Sequence, residues 1–317
     1  ETGKVGHYCE KLSPGCKNCY ASRMQKGPYL SGLEFTAENK DRGELFFDRI
    51  VLQDVLRRRK PSTFFWADCT DMFGDWVPDE WIDHIAATCA LTPQHRHLWL
   101  TKRAKRMREY VNTLAEGRVD DVYDVATDMA HADIGNTAYL QDQADRLIDI
   151  WPLPNLGLGV SAEDQERADE RIPDLLATPA AMRFVSVEPM LEPIAETLRD
   201  HLADPEPCDG CGGTHMLSSE ACHQTPDKPM AFRGLDWVIV GGESGPGARP
   251  MHPDWAMGIR DQCKAAGVPC FVKQLGSFWA RKENADPEQW EQVNGKGSDP
   301  SQWPIPLNVR EMPAMLR

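Results

Sequence analysis

The sequence predicts an α/β fold, a (β/α) TIM-like barrel in full or partial form. Three observations carry that prediction. Short apolar runs recur along the chain, each ends in a cluster of polar residues, and amphipathic helical segments separate them. The runs are apolar throughout rather than alternating, as strands are in a parallel sheet covered by helices. A doubly wound open sheet is the alternative architecture.

The elements follow in order. Ser62-Thr63-Phe64-Phe65-Trp66-Ala67 leads into Asp68-Cys69-Thr70-Asp71. Pro78-Asp79-Glu80 then opens a helix with Trp81, Ile82, Ile85 and Cys89 on one stripe. His97-Leu98-Trp99-Leu100 ends in Thr101-Lys102-Arg103, before a helix marked by Met107, Tyr110, Val111 and Leu114. Leu156 to Val160 ends in Ser161-Ala162-Glu163-Asp164, and Arg183 to Val187 ends in Glu188-Pro189. Trp237 to Val240 ends in Gly241-Gly242-Glu243-Ser244-Gly245, and a helix follows from Asp254 to Ala266. Val268 to Val272 runs into Lys273-Gln274. The N-terminal cysteine segment reads as the loop after a first strand lying at or before residue 1.

Three stretches break this rhythm. Residues 115–150 are helical and acidic and read as an insertion. Residues 204–232 are rich in Pro, Gly and Cys, and the tail beyond Trp279 has little periodicity. The predicted organisation is therefore a barrel over 1–280, a zinc-binding insertion at 204–232 within it, and a C-terminal extension over 281–317.

The chain has 317 residues, 41% of them hydrophobic, enough for one large barrel. No run of eighteen apolar residues and no signal peptide is present, so neither a membrane nor export is expected. Lys and Arg number 35 against 49 Asp and Glu, a net charge of −14, which argues against a surface that grips nucleic acid all over. Two local basic runs remain, Arg57-Arg58-Arg59-Lys60 and Lys102 to Arg108. Ten cysteines in a chain too large to need staples point to a reducing cytoplasm, with thiols used for metal or packing. Cys69, Cys89, Cys263 and Cys270 sit in apolar contexts and read as core, although Cys69 lies at a strand end.

The most specific signal is Cys9-x6-Cys16-x2-Cys19. The close pair lets two thiolates reach one metal from a tight turn, and the third closes over it. Structural zinc normally takes four protein ligands, whereas a [4Fe–4S] cluster on three thiolates leaves one iron open. Zinc with His7 as fourth ligand is the competing reading. In the insertion, Cys208-x2-Cys211-Gly-Gly-Thr-His215 and Cys222-His223 read as a zinc knuckle. Its ligands would be Cys208, Cys211, Cys222 and either His215 or His223, with a second cluster as the alternative.

Leu12-Ser13-Pro14-Gly15-Cys16-Lys17-Asn18-Cys19-Tyr20-Ala21 resembles the signature of a phage- and bacterium-borne three-cysteine family of unknown function. So do Thr101-Lys102-Arg103, Gly159 to Asp164, Val187-Glu188-Pro189 and Val240 to Gly245, in the same order. The family is related to radical S-adenosylmethionine (SAM) enzymes, and the likeness spans most of residues 5–280. It implies a barrel of the radical SAM type. The usual cysteine spacing in those enzymes is Cys-x3-Cys-x2-Cys, so the first gap here is wider. Gly241-Gly242-Glu243 resembles the element that contacts the SAM amino group.

In such barrels the strand ends face one mouth. The candidate catalytic residues are accordingly Glu163, Asp164, Glu188 and Lys102. The candidate cofactor-binding residues are Gly241, Gly242, Glu243, Ser161 and Asp68. The expected activity is an iron–sulfur enzyme that cleaves SAM to a 5′-deoxyadenosyl radical. It would draw on an electron donor and act on a nucleic acid or nucleotide. The alternatives are a non-catalytic, metal-stabilised binding protein and a zinc-dependent hydrolase or lyase.

Overall fold

The computed structural model describes residues 7–24, 34–40, 45–132, 137–194, 234–283 and 295–317. Its centre is a six-stranded, all-parallel sheet that curls into a half-barrel. The strands are β1 (Thr63–Trp66), β2 (Arg96–Thr101), β3 (Leu156–Ser161), β4 (Met182–Val187), β5 (Trp237–Gly241) and β6 (Cys270–Gln274). They lie in sequential order, so the chain never reverses direction across the sheet. A doubly wound sheet requires such a reversal, and that alternative is set aside. The partial form of the predicted barrel is the compatible one.

The helices are α1 (Tyr20–Met24), α2 (Arg49–Arg57), α3 (Asp79–Leu91), α4 (Ala104–Thr113), α5 (Val119–His131), α6 (Thr137–Ile150), α7 (Gln165–Leu176), α8 (Pro253–Ala266) and α9 (Ser277–Glu283). Local sequence fixes several of their ends. Asp164 caps α7 by accepting the Arg167 amide at 2.9 Å. Pro253 opens α8, and Gly267 closes it at φ 69°, a conformation that favours glycine. The acidic stretch after α4 forms α5 and α6, which pack on each other and on α3.

Two apolar layers divide the sheet. Trp99, Leu158, Val185, Val238 and Val272 face the helices in the larger core. Leu98, Met182, Phe184, Trp237 and Ile239 face the other way, toward the barrel interior. There they meet Met312, Met315 and Leu316 of the C-terminal tail. The alternation explains Leu156-Gly157-Leu158-Gly159-Val160. The leucines and Val160 belong to the helix-side core, while a Cβ on Gly157 would strike Met182 and one on Gly159 would strike Phe184. The tail also runs along the outer edge of β6, where Val272 donates to Val309 and Glu311 donates to Cys270, both at 2.9 Å.

The expectation of strands apolar and covered throughout holds for β3, β4 and β5, which are fully buried. β1 and β6 alternate instead, because each stands at an edge of the sheet. Residues 1–6, where a first strand was expected, and the 204–232 insertion lie outside the described residues. No described helix is long and apolar enough to cross a membrane.

Candidate metal-binding mouth

The cysteine loop lies across the C-terminal ends of the strands, and buried strand-end side chains hold it there. Gly15 donates its amide to Glu163 Oε1 at 3.0 Å. Glu163 is fully buried, and Arg171 reaches its other oxygen at 3.1 Å while also donating to the Ser161 carbonyl at 2.8 Å. Burial acts to raise the Glu163 carboxyl. Lys102, Arg171, the Ser13 hydroxyl and the Gly15 amide outweigh it and hold the group below the ordinary carboxylate range. Gly15 is glycine for a steric reason: a Cβ there would lie 3.0 Å from the Glu163 carboxyl carbon.

A second anchor stands at the end of β5. Asn18 donates to Glu243 Oε2 at 2.8 Å and to the Gly247 carbonyl at 2.9 Å. Arg249 grips the same carboxylate through Nη2 at 2.5 Å, Nε at 3.0 Å and its own amide at 2.8 Å. These donors overcome burial and hold Glu243 below its usual range as well. Arg23, at the end of the loop's short helix, donates to the Asn18 and Ser244 carbonyls at 2.7 and 3.3 Å.

The β1 and β2 ends complete the cradle. The Tyr20 hydroxyl donates to the Asp68 carbonyl at 2.6 Å, and the Thr70 hydroxyl donates to the Tyr8 carbonyl. Asp71 accepts from the Thr101 hydroxyl at 2.7 Å and from the Lys102 amide and Arg103 Nη1, both at 3.1 Å. Arg103 also faces Glu10 at 3.7 Å and stacks over Trp76 at 4.7 Å.

Of the other predicted site residues, Asp164 is the cap of α7 and Ser161 ends β3. Glu188 accepts from Lys273 Nζ at 3.0 Å and from Gln274 Nε2 at 3.1 Å. Gly241 packs against Glu188, and a Cβ on Gly242 would collide with the Leu275 carbonyl. Lys102 acts on Glu163 through its charge, and among the described residues its ammonium makes no hydrogen bond or ion pair. Most of the basic run beyond it is paired within the protein. Lys105 faces Glu109 at 3.9 Å, Arg106 faces Asp79 at 3.1 Å and Arg108 faces Asp174 at 2.7 Å.

Cys9, Cys16 and Cys19 are free, half-buried thiols. Burial and then Asp71 push the Cys9 thiol up to about 12, against the pull of Arg103, with Cys16 and Cys19 adding to the rise. Among the described residues no three His, Cys, Asp or Glu side chains stand close enough to hold a single metal ion. A four-iron cube stands between its thiolates and needs their sulfurs farther apart than one ion does. A set made only of soft thiol donors on one clamped loop suits such a cluster. Cys208, Cys211, His215, Cys222 and His223 lie outside the described residues.

The reading from sequence missed Asn18, Arg23, Arg171 and Arg249, which do the holding. Arg171 had a usable signal. It shares a helix face with Ala168, Ile172 and Leu175, and an arginine on a buried face requires a partner. Asn18 and Arg249 carry no such mark.

No curated protein and no solved structure gives a significant match. Residues 4–304 match the family model described as protein of unknown function, DUF5131, and the chain belongs to that family.

Proposed function

We propose that this chain is an iron–sulfur enzyme of the radical SAM type, with a [4Fe–4S] cluster on Cys9, Cys16 and Cys19. The observation that carries the reading is the anchoring of a three-thiol loop by buried strand-end carboxylates, Glu163 and Glu243, at the mouth of a parallel half-barrel. When bound, such a cluster supplies the electron that cleaves SAM to methionine and a 5′-deoxyadenosyl radical. The electron must come from an external donor.

The chain's own residues hold and shield. Both oxygens of Glu163 and of Glu243 already accept hydrogen bonds within the protein, so these groups position the loop rather than move protons. Glu188, with Lys273 and Gln274 on it, lines the mouth where a bound small molecule would lie. Lys102 offers a cation with no hydrogen-bonded partner among the described residues, suited to a phosphate or carboxylate. Because Lys105, Arg106 and Arg108 are paired within the protein, a nucleotide fits this mouth better than a long nucleic acid. The zinc knuckle over 204–232 remains part of the proposal.

A non-catalytic, metal-stabilised binding protein is the second reading, and the engagement of Glu163 and Glu243 in structure favours it. Incubating reduced, reconstituted protein with SAM separates the two. The enzyme releases 5′-deoxyadenosine and methionine, and the binding protein releases neither.

A further inference from the structure

We infer that Lys102, Ser161 and Ser186 form a phosphate-binding shelf on the inner wall of the half-barrel, below the cysteine loop, where the phosphate of a nucleotide substrate docks. The shelf rests on the reading above of an enzyme that acts on a nucleotide, and its geometry does not depend on the cluster. Strand register places the three residues together. Gly157, Gly159 and Ser161 of β3 stand opposite Met182, Phe184 and Ser186 of β4. Met182 and Phe184 point into the barrel interior, where Cβ atoms on Gly157 and Gly159 would meet them. Side chains alternate along a strand, so Ser161 and Ser186, two residues further on, face the same interior. On the other side of β3, Leu98 and Leu100 of β2 pack in the interior layer. Lys102 continues their alternation, one step past the pairing of Thr101 with Val160. Neighbouring strands lie about 4.8 Å apart, a span that one phosphate group bridges. Glu163, two residues after Ser161, holds Gly15 of the cysteine loop above the shelf.

Both serines are buried, each 4% exposed, yet among the described residues neither hydroxyl has a hydrogen-bond partner. Buried hydroxyls are ordinarily bonded, so two unpartnered ones side by side on an inner wall leave donors for a ligand. Charge points the same way. Asp71, Glu163, Glu188 and Glu243 at the strand ends already hold Arg103, Arg171, Lys273 and Arg249 respectively. Lys102 has no ion pair of its own among the described residues, and its charge is felt at Glu163. Leu100, Phe184 and Ile239 give the shelf an apolar floor, which keeps water from competing below it. One ammonium and two hydroxyls bring donors from three adjacent strands. They suit the three terminal oxygens of a phosphate monoester better than the two of a carboxylate.

The test is isothermal titration calorimetry of the full chain, anaerobically reconstituted and at low salt, with inorganic phosphate as the probe. Wild type is compared with Ser161→Ala, Ser186→Ala, Lys102→Ala and Lys105→Ala, the last a control on the exposed face of α4. Phosphate should bind wild type and Lys105→Ala alike. It should bind each serine variant about tenfold more weakly, and Lys102→Ala about tenfold to a hundredfold more weakly. The ligand-free serine variants should melt at or above the wild-type temperature, because an unpartnered buried hydroxyl costs stability. A lower melting temperature in both would show that the hydroxyls are bonded within the fold and would overturn the shelf. So would a wild type that binds no phosphate, or equal weakening in Lys105→Ala. SAM is titrated in parallel. Serine variants that weaken SAM and leave phosphate unchanged would give the shelf to the SAM carboxylate and overturn the phosphate assignment. Iron analysis of the same samples reads the cluster separately: a wild type that binds phosphate but holds no iron would refute the radical reading and leave the shelf standing.

Discussion

Replacing Glu163 with alanine removes the nearer and buried carboxylate of Arg171, leaving only the exposed Glu170 at 3.9 Å, and the acceptor of the Gly15 amide in one step. Both charged side chains are almost wholly enclosed, with 2% of Arg171 and none of Glu163 exposed. Deleting one member of a buried pair typically costs about 3–5 kcal/mol, because the other charge is left uncompensated. A stranded buried amide adds about 1–3 kcal/mol. Arg171 keeps its bond to the Ser161 carbonyl, which softens the loss, so we expect about 3–5 kcal/mol in all. Glu163→Gln keeps an oxygen for Gly15 but also leaves the Arg171 charge without its carboxylate, so it should cost about 2–4 kcal/mol, less than alanine by the share of the stranded amide. Urea unfolding of the metal-free protein measures both values, at an unchanged m-value. Alkylation of Cys16 followed by mass spectrometry reads the loop, and should be faster in Glu163→Ala than in Glu163→Gln. A loss below about 1 kcal/mol in the alanine variant, with wild-type alkylation rates, would refute the anchoring role.

Other expectations follow from the same contacts. Gly15→Ala should push the Glu163 carboxylate aside and destabilise the protein by about 1–3 kcal/mol, measured by urea unfolding. Asp164→Ala should cost about 1 kcal/mol through loss of the α7 cap and leave cluster assembly unchanged, which iron analysis of the reconstituted variant checks. Glu163 and Glu243 are held below the ordinary carboxylate range, so between folded and unfolded values the unfolded chain binds more protons. The stability contributed by these two carboxylates should therefore be level above about pH 4.3 and be lost as pH drops through the folded values, on top of a fall that begins below about pH 6.5 because burial pushes the His97 ring down to about 3. Thermal melts between neutral and acid pH measure this, and Glu163→Gln should flatten the fall.

Much of the fold was legible because helix-covered parallel strands leave a plain mark, a run of apolar residues ending in polar ones. The edges were less so. β1 and β6 alternate in burial, yet Phe64, Phe65 and Phe271 make them read as interior strands. The interior plug was not legible, since Met312, Met315 and Leu316 show no periodicity that separates them from surface tail. At the mouth, the polar residues at strand ends were visible but their duties were not. Gly15 and Glu163 are 148 positions apart, and Asn18 and Glu243 are 225 apart. A carboxylate awaiting substrate and one already clasped by a distant amide look alike in sequence. Glu163 and Glu243 stood out as chemical groups, and their partners give them the work of anchors.

The central claim is that the loop of Cys9, Cys16 and Cys19 holds a four-iron cluster. Quantifying iron, sulfide and zinc in anaerobically purified wild type and Cys16→Ala tests it most directly. The wild type should be brown, with about four iron and four sulfide per chain, and Cys16→Ala should have lost both. A colourless wild type that stays so after reconstitution, or one that carries zinc at Cys16 in place of iron, would contradict it.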